Sequence, residues 1–252
     1  MMKQIRPPQG AQAALRAIRL LKLFSNERPD MSLAELSRAS GLNKTTTHRL
    51  LRALQSESLI DRNPATSSYS LGPGLMALGV QALASSDLRR RVRPILRALA
   101  RETGETATLE IPFEDSMLIL DEVAGSHVLG SAGNIGTRWP IHATSTGKAW
   151  LAFDEFGAER LAATLPALTP RTVISKGAFE PQLAEIRRRG YAISVDELEE
   201  GFTAVATIFR GVLGDLQGAL SIGGPSQRLS AARCAEFGAS LRRAAQRLTP
   251  EI

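Results

Sequence analysis

Residues 41–52 read GLNKTTTHRLLR, and this stretch decides the fold that we predict for the first part of the chain. Gly41 ends one predicted helix, and Asn43 is a suitable N-cap for a second helix over 44–55. Leucines recur at helical spacing on one side of this second helix, and charged or hydroxyl side chains lie on the other. A helix, a tight turn with glycine and another helix form a helix-turn-helix.

The residues on either side extend this interpretation. Upstream, 11–24 has apolar residues at helical spacing, and Ser32 with Glu35 forms a capping box for the first helix of the motif. Downstream, two short strand-like pieces at 59–62 and 69–71 enclose a polar loop that contains proline, which predicts a β-hairpin. A hairpin directly after a helix-turn-helix is a wing, so we predict a winged helix-turn-helix.

Charge separates this segment from the rest of the chain. The first 70 residues carry 11 Lys and Arg against 5 Asp and Glu, and the other 182 residues carry 20 of each. A compact basic module attached to a neutral body favours a polyanion-binding head, because phosphate neutralisation supplies most sequence-independent affinity for DNA. A merely solubilising surface would have the same charge, and charge alone leaves both interpretations open.

The second helix of the motif is the candidate DNA reader. Its three consecutive threonines are poor helix formers, but their short side chains allow close approach, with hydroxyls bonding phosphates or bases and methyls touching thymine. Basic side chains of the helix and wing would neutralise phosphates or read guanine. A solvated basic helix is the alternative. The candidate DNA-contacting residues are Lys44, Thr45, Thr46, Thr47, His48, Arg49, Arg52 and Arg62.

Composition places the protein in an ordinary globular class. The chain has 252 residues, 43% of them hydrophobic and 22% charged, which suits two domains with normal cores. The single cysteine, Cys234, excludes an intrachain disulfide and a multi-cysteine zinc site. We find neither an apolar run of membrane-spanning length nor a secretory signal. We therefore expect a cytoplasmic protein without membrane association, metal or cofactor.

The remainder of the chain mixes helical and strand periodicities, which predicts an α+β domain with an antiparallel sheet. We expect the chain to divide into a DNA-binding domain at 1–72, a connector helix at 73–86 and a second domain at 87–252. The expected helices of that domain cover 88–102, a segment from Ser145 through Trp150, 179–189 and 229–248. Its expected strands cover 106–111, 116–123, 128–131, 191–195, 202–210 and 216–222.

Several ordered blocks resemble the IclR-type bacterial transcriptional regulators over nearly the whole chain. In the head they are SLAEL at 32–36, THRLL at 47–51 and YSLG at 69–72. In the body they are IHATSTGKA at 141–149, GYA at 190–192 with Glu197, Glu199 and Gly201, and ALSIGGP at 219–225. The resemblance implies a winged helix-turn-helix joined by a helix to a GAF-like effector-binding domain, assembled as a homodimer or a dimer of dimers.

The resemblance also implies a small-molecule pocket in the second domain. Ser145 and Thr146 precede Gly147 at a helix start, where free backbone amides suit a carboxylate. Where small oxo-acid binders commonly have Asp, Cys and Ser, this chain has Ser194, Ala204 and Gly223, so we expect a roomier and less polar pocket for a small, possibly aromatic, carboxylate. The lining by match is Val128, Ser131, Trp139, Ser145, Thr146, Ser194, Phe202, Ala204, Ser221 and Gly223.

The expected function is a ligand-responsive regulator, repressor or activator, that binds a double-stranded DNA operator and controls a catabolic operon. In the proposed mechanism two heads of a dimer read two half-sites, and the effector shifts their placement through the helix at 75–84. An enzyme is disfavoured, since no Gly-x-Ser-x-Gly elbow, Walker A or dinucleotide fingerprint is present and no catalytic residue is assigned. A winged helix that binds protein instead of DNA is the remaining alternative.

Overall fold

The computed structural model describes residues 10–25, 28–126 and 135–248, and the chain divides into two compact units, Met1–Ser85 and Ser86–Ile252. The first unit has the elements of a winged helix-turn-helix. In chain order they are α1 (Gln12–Leu21), β1 (Asp30–Met31), α2 (Leu33–Ser40), α3 (Lys44–Ser56), β2 (Ile60–Arg62), β3 (Tyr69–Leu71) and α4 (Pro73–Ser85).

Local capping sets the ends of the two helices of the motif. The Ser32 side chain accepts from the Glu35 amide and the Glu35 side chain accepts from the Ser32 amide, which is the predicted capping box. Gly41 closes α2 at a φ of 69°, a left-handed conformation that favours glycine. Two residues later, the Asn43 side chain accepts a 2.8 Å hydrogen bond from the Thr46 amide and starts α3.

One core holds the first unit together. Leu20 of α1, Leu36 of α2, Leu51 of α3 and Ile60 of β2 are fully buried against one another. The strands form a small antiparallel sheet in the order β1-β3-β2. Helix α4 differs from the other helices of this unit, because none of its residues is buried although its composition is strongly apolar.

The second unit is built on one antiparallel sheet of six strands in the order β6-β5-β4-β9-β8-β7. The predicted α+β fold class, a winged helix-turn-helix with a GAF-like α+β body, is confirmed. The elements are α5 (Asp87–Thr103), β4 (Thr106–Phe113), β5 (Ser116–Val123), β6 (Arg138–Pro140), α6 (Ser145–Phe153), α7 (Phe179–Arg189), β7 (Ala192–Val195), β8 (Phe202–Arg210), β9 (Leu216–Pro225) and α8 (Ala231–Leu248).

Helices cover both faces of this sheet. Alternate residues of a strand point to opposite faces, and neighbouring core residues divide accordingly. Val205 and Leu220 pack with α5 and α8, whereas Ala206 and Ala219 pack with α6 and α7. The sheet therefore carries two separate cores, and α6 and α7 lie over the face that also bears the candidate site.

The structure differs from the sequence-based expectations at several ends. Strands β1 and β6 were not predicted, and β9 runs to Pro225 instead of ending at Ile222. The first helix ends at Leu21, three residues earlier than expected. The expected strand at 128–131 lies outside the described residues. By contrast, β5, α7 and β8 have the predicted bounds.

Candidate functional site

The exposed side of α3 is the first candidate surface. Leu50, Leu51 and Leu54 fix the opposite side of the helix in the core of the unit. The side chains of Lys44, Arg49 and Arg52 are exposed, and none of these three forms an ion pair with any described carboxylate. Thr45 and His48 are exposed beside them, and Thr46 is half-buried. This face thus combines unpaired positive charge with hydroxyl groups, which suits the phosphates and base edges of duplex DNA.

Thr47 is the one candidate DNA-contacting residue of α3 that the structure places in the core. Its side chain is fully buried, and its hydroxyl donates a 3.0 Å hydrogen bond to the Asn43 carbonyl one turn earlier. Threonine commonly satisfies its hydroxyl in this way inside a helix. The third threonine therefore points into the core, and the expectation that it contacts DNA does not fit the structure.

The wing places one further basic side chain. Arg62 on β2 donates a 3.0 Å hydrogen bond to the Ser67 hydroxyl across the hairpin loop, and its guanidinium lies 6.0 Å from the centre of the Tyr69 ring. The Asn63 side chain accepts from the Ala65 amide inside the loop. These contacts orient an exposed arginine at the wing without removing its charge.

A cavity of about 560 Å³ in the second unit is the other candidate site. It lies on the sheet face covered by α6 and α7 and is bordered by the start of α6 and the segment 198–201. Of the ten expected pocket residues, Val128 and Ser131 lie outside the described residues. The other eight all line the cavity, namely Trp139, Ser145, Thr146, Ser194, Phe202, Ala204, Ser221 and Gly223.

The start of α6 is held rigidly at the cavity wall. The Thr144 hydroxyl caps the helix by accepting from the Gly147 amide at 3.1 Å. A Cβ on Gly147 would lie 1.9 Å from the Ile141 carbonyl oxygen, so only glycine permits this approach. The buried Ser145 hydroxyl and the backbone amides of Ser145 and Thr146 have no hydrogen-bond partner among the described residues. They remain available as donors to a bound molecule.

Two of the expected pocket residues, Ser194 and Gly223, contact other parts of the protein at the cavity wall. The Ser194 hydroxyl donates a 2.9 Å hydrogen bond to the Ala143 carbonyl, which ties β7 to the segment before α6. A Cβ on Gly223 would lie 2.7 Å from Cζ of Phe202, so the aromatic ring fills the space that the small residue leaves. The expectation of extra room at Gly223 is therefore wrong, and the ring shapes this part of the cavity.

The sequence interpretation missed Glu110, the most informative residue of the cavity. Its carboxylate accepts from the Thr146 hydroxyl at 2.6 Å and from the Thr108 hydroxyl at 2.8 Å, and Thr108 also lies 2.7 Å from the Ser221 hydroxyl. Burial raises the pKa of Glu110 well above its ordinary value, and the two hydroxyls lower that pKa only in part. One acidic residue inside the apolar strand 106–111 was the signal that could have identified it.

Charge in the cavity is acidic throughout the described lining. Four further glutamates, Glu105, Glu122, Glu199 and Glu200, line it, and no lysine, arginine or histidine does. Arg228 donates two hydrogen bonds of 2.7 Å to Glu105 from outside the lining. The start of α6 was expected to bind a carboxylate. The negative charge of the lining opposes a bound carboxylate, and the Thr146 hydroxyl at the helix start already donates to Glu110.

Residues 10–25, 28–126 and 135–248 contain neither a metal-ligand cluster nor a membrane-spanning helix. Within these ranges no group of three or more His, Cys, Asp or Glu side chains is placed to hold a metal ion. None of the helices described there is both long enough and apolar enough to cross a bilayer.

Comparisons with known proteins match both units. Residues 13–64 match the model of the IclR helix-turn-helix domain, and residues 80–249 match the model of the bacterial transcriptional regulator IclR C-terminal domain. The regulator XynR of Escherichia coli K12, an HTH-type transcriptional regulator, is 32% identical over 92% of this chain and 94% of its own.

Solved structures of related proteins match more than nine-tenths of the chain. A putative IclR transcriptional regulator from Silicibacter sp. TM1040 superposes with a TM-score of 0.82 at 30% identity, covering 94% of each chain. An IclR homologue from Microbacterium hydrocarbonoxydans, crystallised with 4-hydroxybenzoate, has a TM-score of 0.74 at 26% identity and covers 93% of this chain and 96% of its own.

The raised pKa of Glu110 generates a stability prediction. The folded state holds the Glu110 proton more tightly than the unfolded state, so the wild type loses stability as pH rises above the ordinary glutamate pKa of 4.5. Glu110→Gln cannot ionise, and each tenfold change in acid dissociation constant is worth about 1.4 kcal/mol. In denaturant unfolding, the free energy of unfolding of the variant relative to that of the wild type should increase between pH 5 and pH 8.

The exposed Glu155→Gln is the matched control, and its free energy of unfolding relative to wild type should not change over that range. A Glu110→Gln difference that is the same at both pH values would show that burial does not raise the pKa of Glu110.

Proposed function

The chain belongs to the IclR family of bacterial transcriptional regulators, and from that premise we propose a DNA-binding regulator whose operator affinity is set by a small molecule in the cavity of the second unit. The observation that carries the proposal is the exposed face of α3, where Lys44, Arg49 and Arg52 have no ion-pair partner among the described residues. An unpaired basic face on a helix-turn-helix is what a phosphate backbone requires. We assign no catalytic residue.

The proposed DNA contacts divide by position along the helix. The first turn of a recognition helix meets base edges in the major groove, so Lys44, Thr45 and Thr46, with His48 after them, would face the bases. Arg49 and Arg52 lie further along the exposed face and would bind phosphates. Arg62 would contact the adjacent backbone from the wing.

A second copy of the chain is the proposed partner of α4. Met76, Leu78 and Val80 are exposed by 73%, 56% and 66%, although a solvated helix would normally present polar side chains there. Met76 and Val80 are one turn apart on the same side of α4, so pairing of two such helices would bury them and bring two heads onto one operator. Dimeric helix-turn-helix proteins read half-sites about 34–36 Å apart. A dimer of dimers would need a further interface.

The proposed effector is a small molecule with an aromatic body. The half-buried rings of Trp139 and Phe202 both line the cavity, which has the size of an ordinary ligand pocket. The relative crystallised with 4-hydroxybenzoate supports an aromatic ligand as well. The sequence also led us to expect a carboxylate on the ligand. A carboxylate would accept from the Ser145 hydroxyl and from the Ser145 and Thr146 amides, but it would face the acidic lining. We propose that the controlled genes form a catabolic operon.

Salt dependence tests the DNA-binding part. Fluorescence anisotropy with a labelled duplex from the upstream region of the gene should show log affinity falling linearly with log salt concentration. Arg49→Ala should make this slope shallower by about 1, because one phosphate contact is lost. Arg101→Ala, an exposed arginine of α5, is the control and should leave the slope unchanged.

Absence of binding at low salt across every fragment of that region would contradict the proposal. It would favour the alternative of a winged helix that binds protein.

The threonines provide a sharper test of which face of α3 meets DNA. Valine keeps the shape of threonine and removes only the hydroxyl, which is worth about 0.5–1.5 kcal/mol in a hydrogen bond. Thr45→Val should therefore weaken operator binding by up to about tenfold, whereas Thr47→Val should leave it unchanged because that hydroxyl is buried. The same anisotropy titration measures both, and a larger loss for Thr47→Val would mean that α3 presents another face.

Sedimentation velocity tests the role of α4. Replacing Met76 and Val80 together by lysine leaves a good helix former at both positions and puts two charges on the apolar surface. We expect this variant to sediment as a smaller species than the wild type at the same concentration. Gln81→Lys adds a charge at an exposed polar position of the same helix and should not change the species. An unchanged double variant would place the interface elsewhere.

A further inference from the structure

We propose that the cavity selects a small aromatic amine, with its amino group at Glu110, and that it disfavours an anionic carboxylate. This inference rests on the proposed function and names the chemical class of its effector. A ligand must complement the hydrogen-bond donors and acceptors that the cavity wall leaves unused.

Glu110 supplies unused acceptors. A carboxylate has about four lone-pair positions, and the hydroxyls of Thr146 and Thr108 occupy two of them. Each threonine hydroxyl has a single proton, so neither can donate to a ligand while it donates to Glu110. Glu110 is buried, with 5% of its surface exposed, and it has no cationic partner among the described residues. A ligand that donates protons and carries positive charge would satisfy it on both counts.

The charge of the wall points the same way. Five glutamates and no basic side chain belong to the described lining, and the segment 127–134 contains no lysine or arginine in its sequence. Arg228 donates to both carboxylate oxygens of Glu105. A carboxylate bound among these groups would be repelled, because like charges at close range disfavour one another's ionised form.

The aromatic residues complete the match. Trp139 and Phe202 border the same cavity, and aromatic faces attract an ammonium group as well as packing against an apolar ring. Ser145 is 2% exposed, and its unpartnered hydroxyl would donate to an acceptor on the ligand, such as a phenolic oxygen. The complementary ligand is therefore an aryl amine that also carries a hydroxyl group.

Two sets of probes with one body each and three different end groups test this on the full chain. The first set is 4-hydroxybenzylamine, 4-hydroxybenzyl alcohol and 4-hydroxybenzoate, and the second is tyramine, tyrosol and 4-hydroxyphenylacetate. Isothermal titration calorimetry at pH 7 should rank the wild-type dissociation constants amine below alcohol below acid in at least one set. A ligand that binds only the folded state also raises Tm, so thermal shift gives an independent ranking.

Glu110→Gln removes the carboxylate and keeps its shape. We expect this variant to bind the amine at least tenfold more weakly and the acid no more weakly than the wild type does. The control Glu155→Gln, an exposed glutamate outside the cavity, should keep the wild-type ranking.

A wild type that binds the acid more tightly than the amine in both sets overturns the inference, and so does a Glu110→Gln variant with an unchanged ranking. If the acid binds and alters operator affinity, the proposed function stands while the amine class fails. If none of the six compounds binds, the amine class falls, and the salt titration of operator binding decides the proposed function separately.

Discussion

The buried ammonium group of Lys148 is the interaction on which the geometry of the second unit depends. Lys148 is 1% exposed, and its Nζ bonds the Glu197 carboxylate and the Gln182 side chain, which joins α6 to α7 and to the segment before β8. Burial lowers the pKa of Lys148, and the Glu197 carboxylate counteracts this. Removing one partner of a buried pair costs about 3–5 kcal/mol, since the other charge is left unpaired. The start of α6, and hence the cavity wall, is fixed by this pair.

Glu110 contrasts with Lys148, although both are buried in the same unit. Lys148 has an opposite charge beside it, whereas Glu110 has only hydroxyl partners. A carboxylate without a charged partner destabilises the fold at neutral pH, so Glu110 is hard to explain by stability. Residues that violate local rules of folding concentrate at functional sites. Glu110, which is buried with only hydroxyl partners, is therefore better understood as the group that selects the ligand.

Sequence patterns predicted the features that arise from local signals. The capping box at Ser32, the left-handed Gly41 and the N-cap Asn43 each act within four residues, and the helix-turn-helix followed from them. Features set by distant contacts could not be read in this way. The two-residue β1 exists only because β3 pairs with it, and Glu110 lies at a register shift between β4 and β5, where a bulge can redirect a side chain. The ring of Phe202 over Gly223 likewise depends on the pairing of β8 with β9.

We propose that a ligand in the cavity of the second unit controls DNA binding by the first. The most direct test is the operator dissociation constant with and without a saturating cavity ligand, in the wild type and in Ala204→Phe, which puts a phenyl ring into the cavity. The ligand should change the wild-type constant by at least about fivefold, the lower end of typical allosteric coupling, and leave that of the variant unchanged. A wild-type constant that is the same with and without bound ligand would contradict the account.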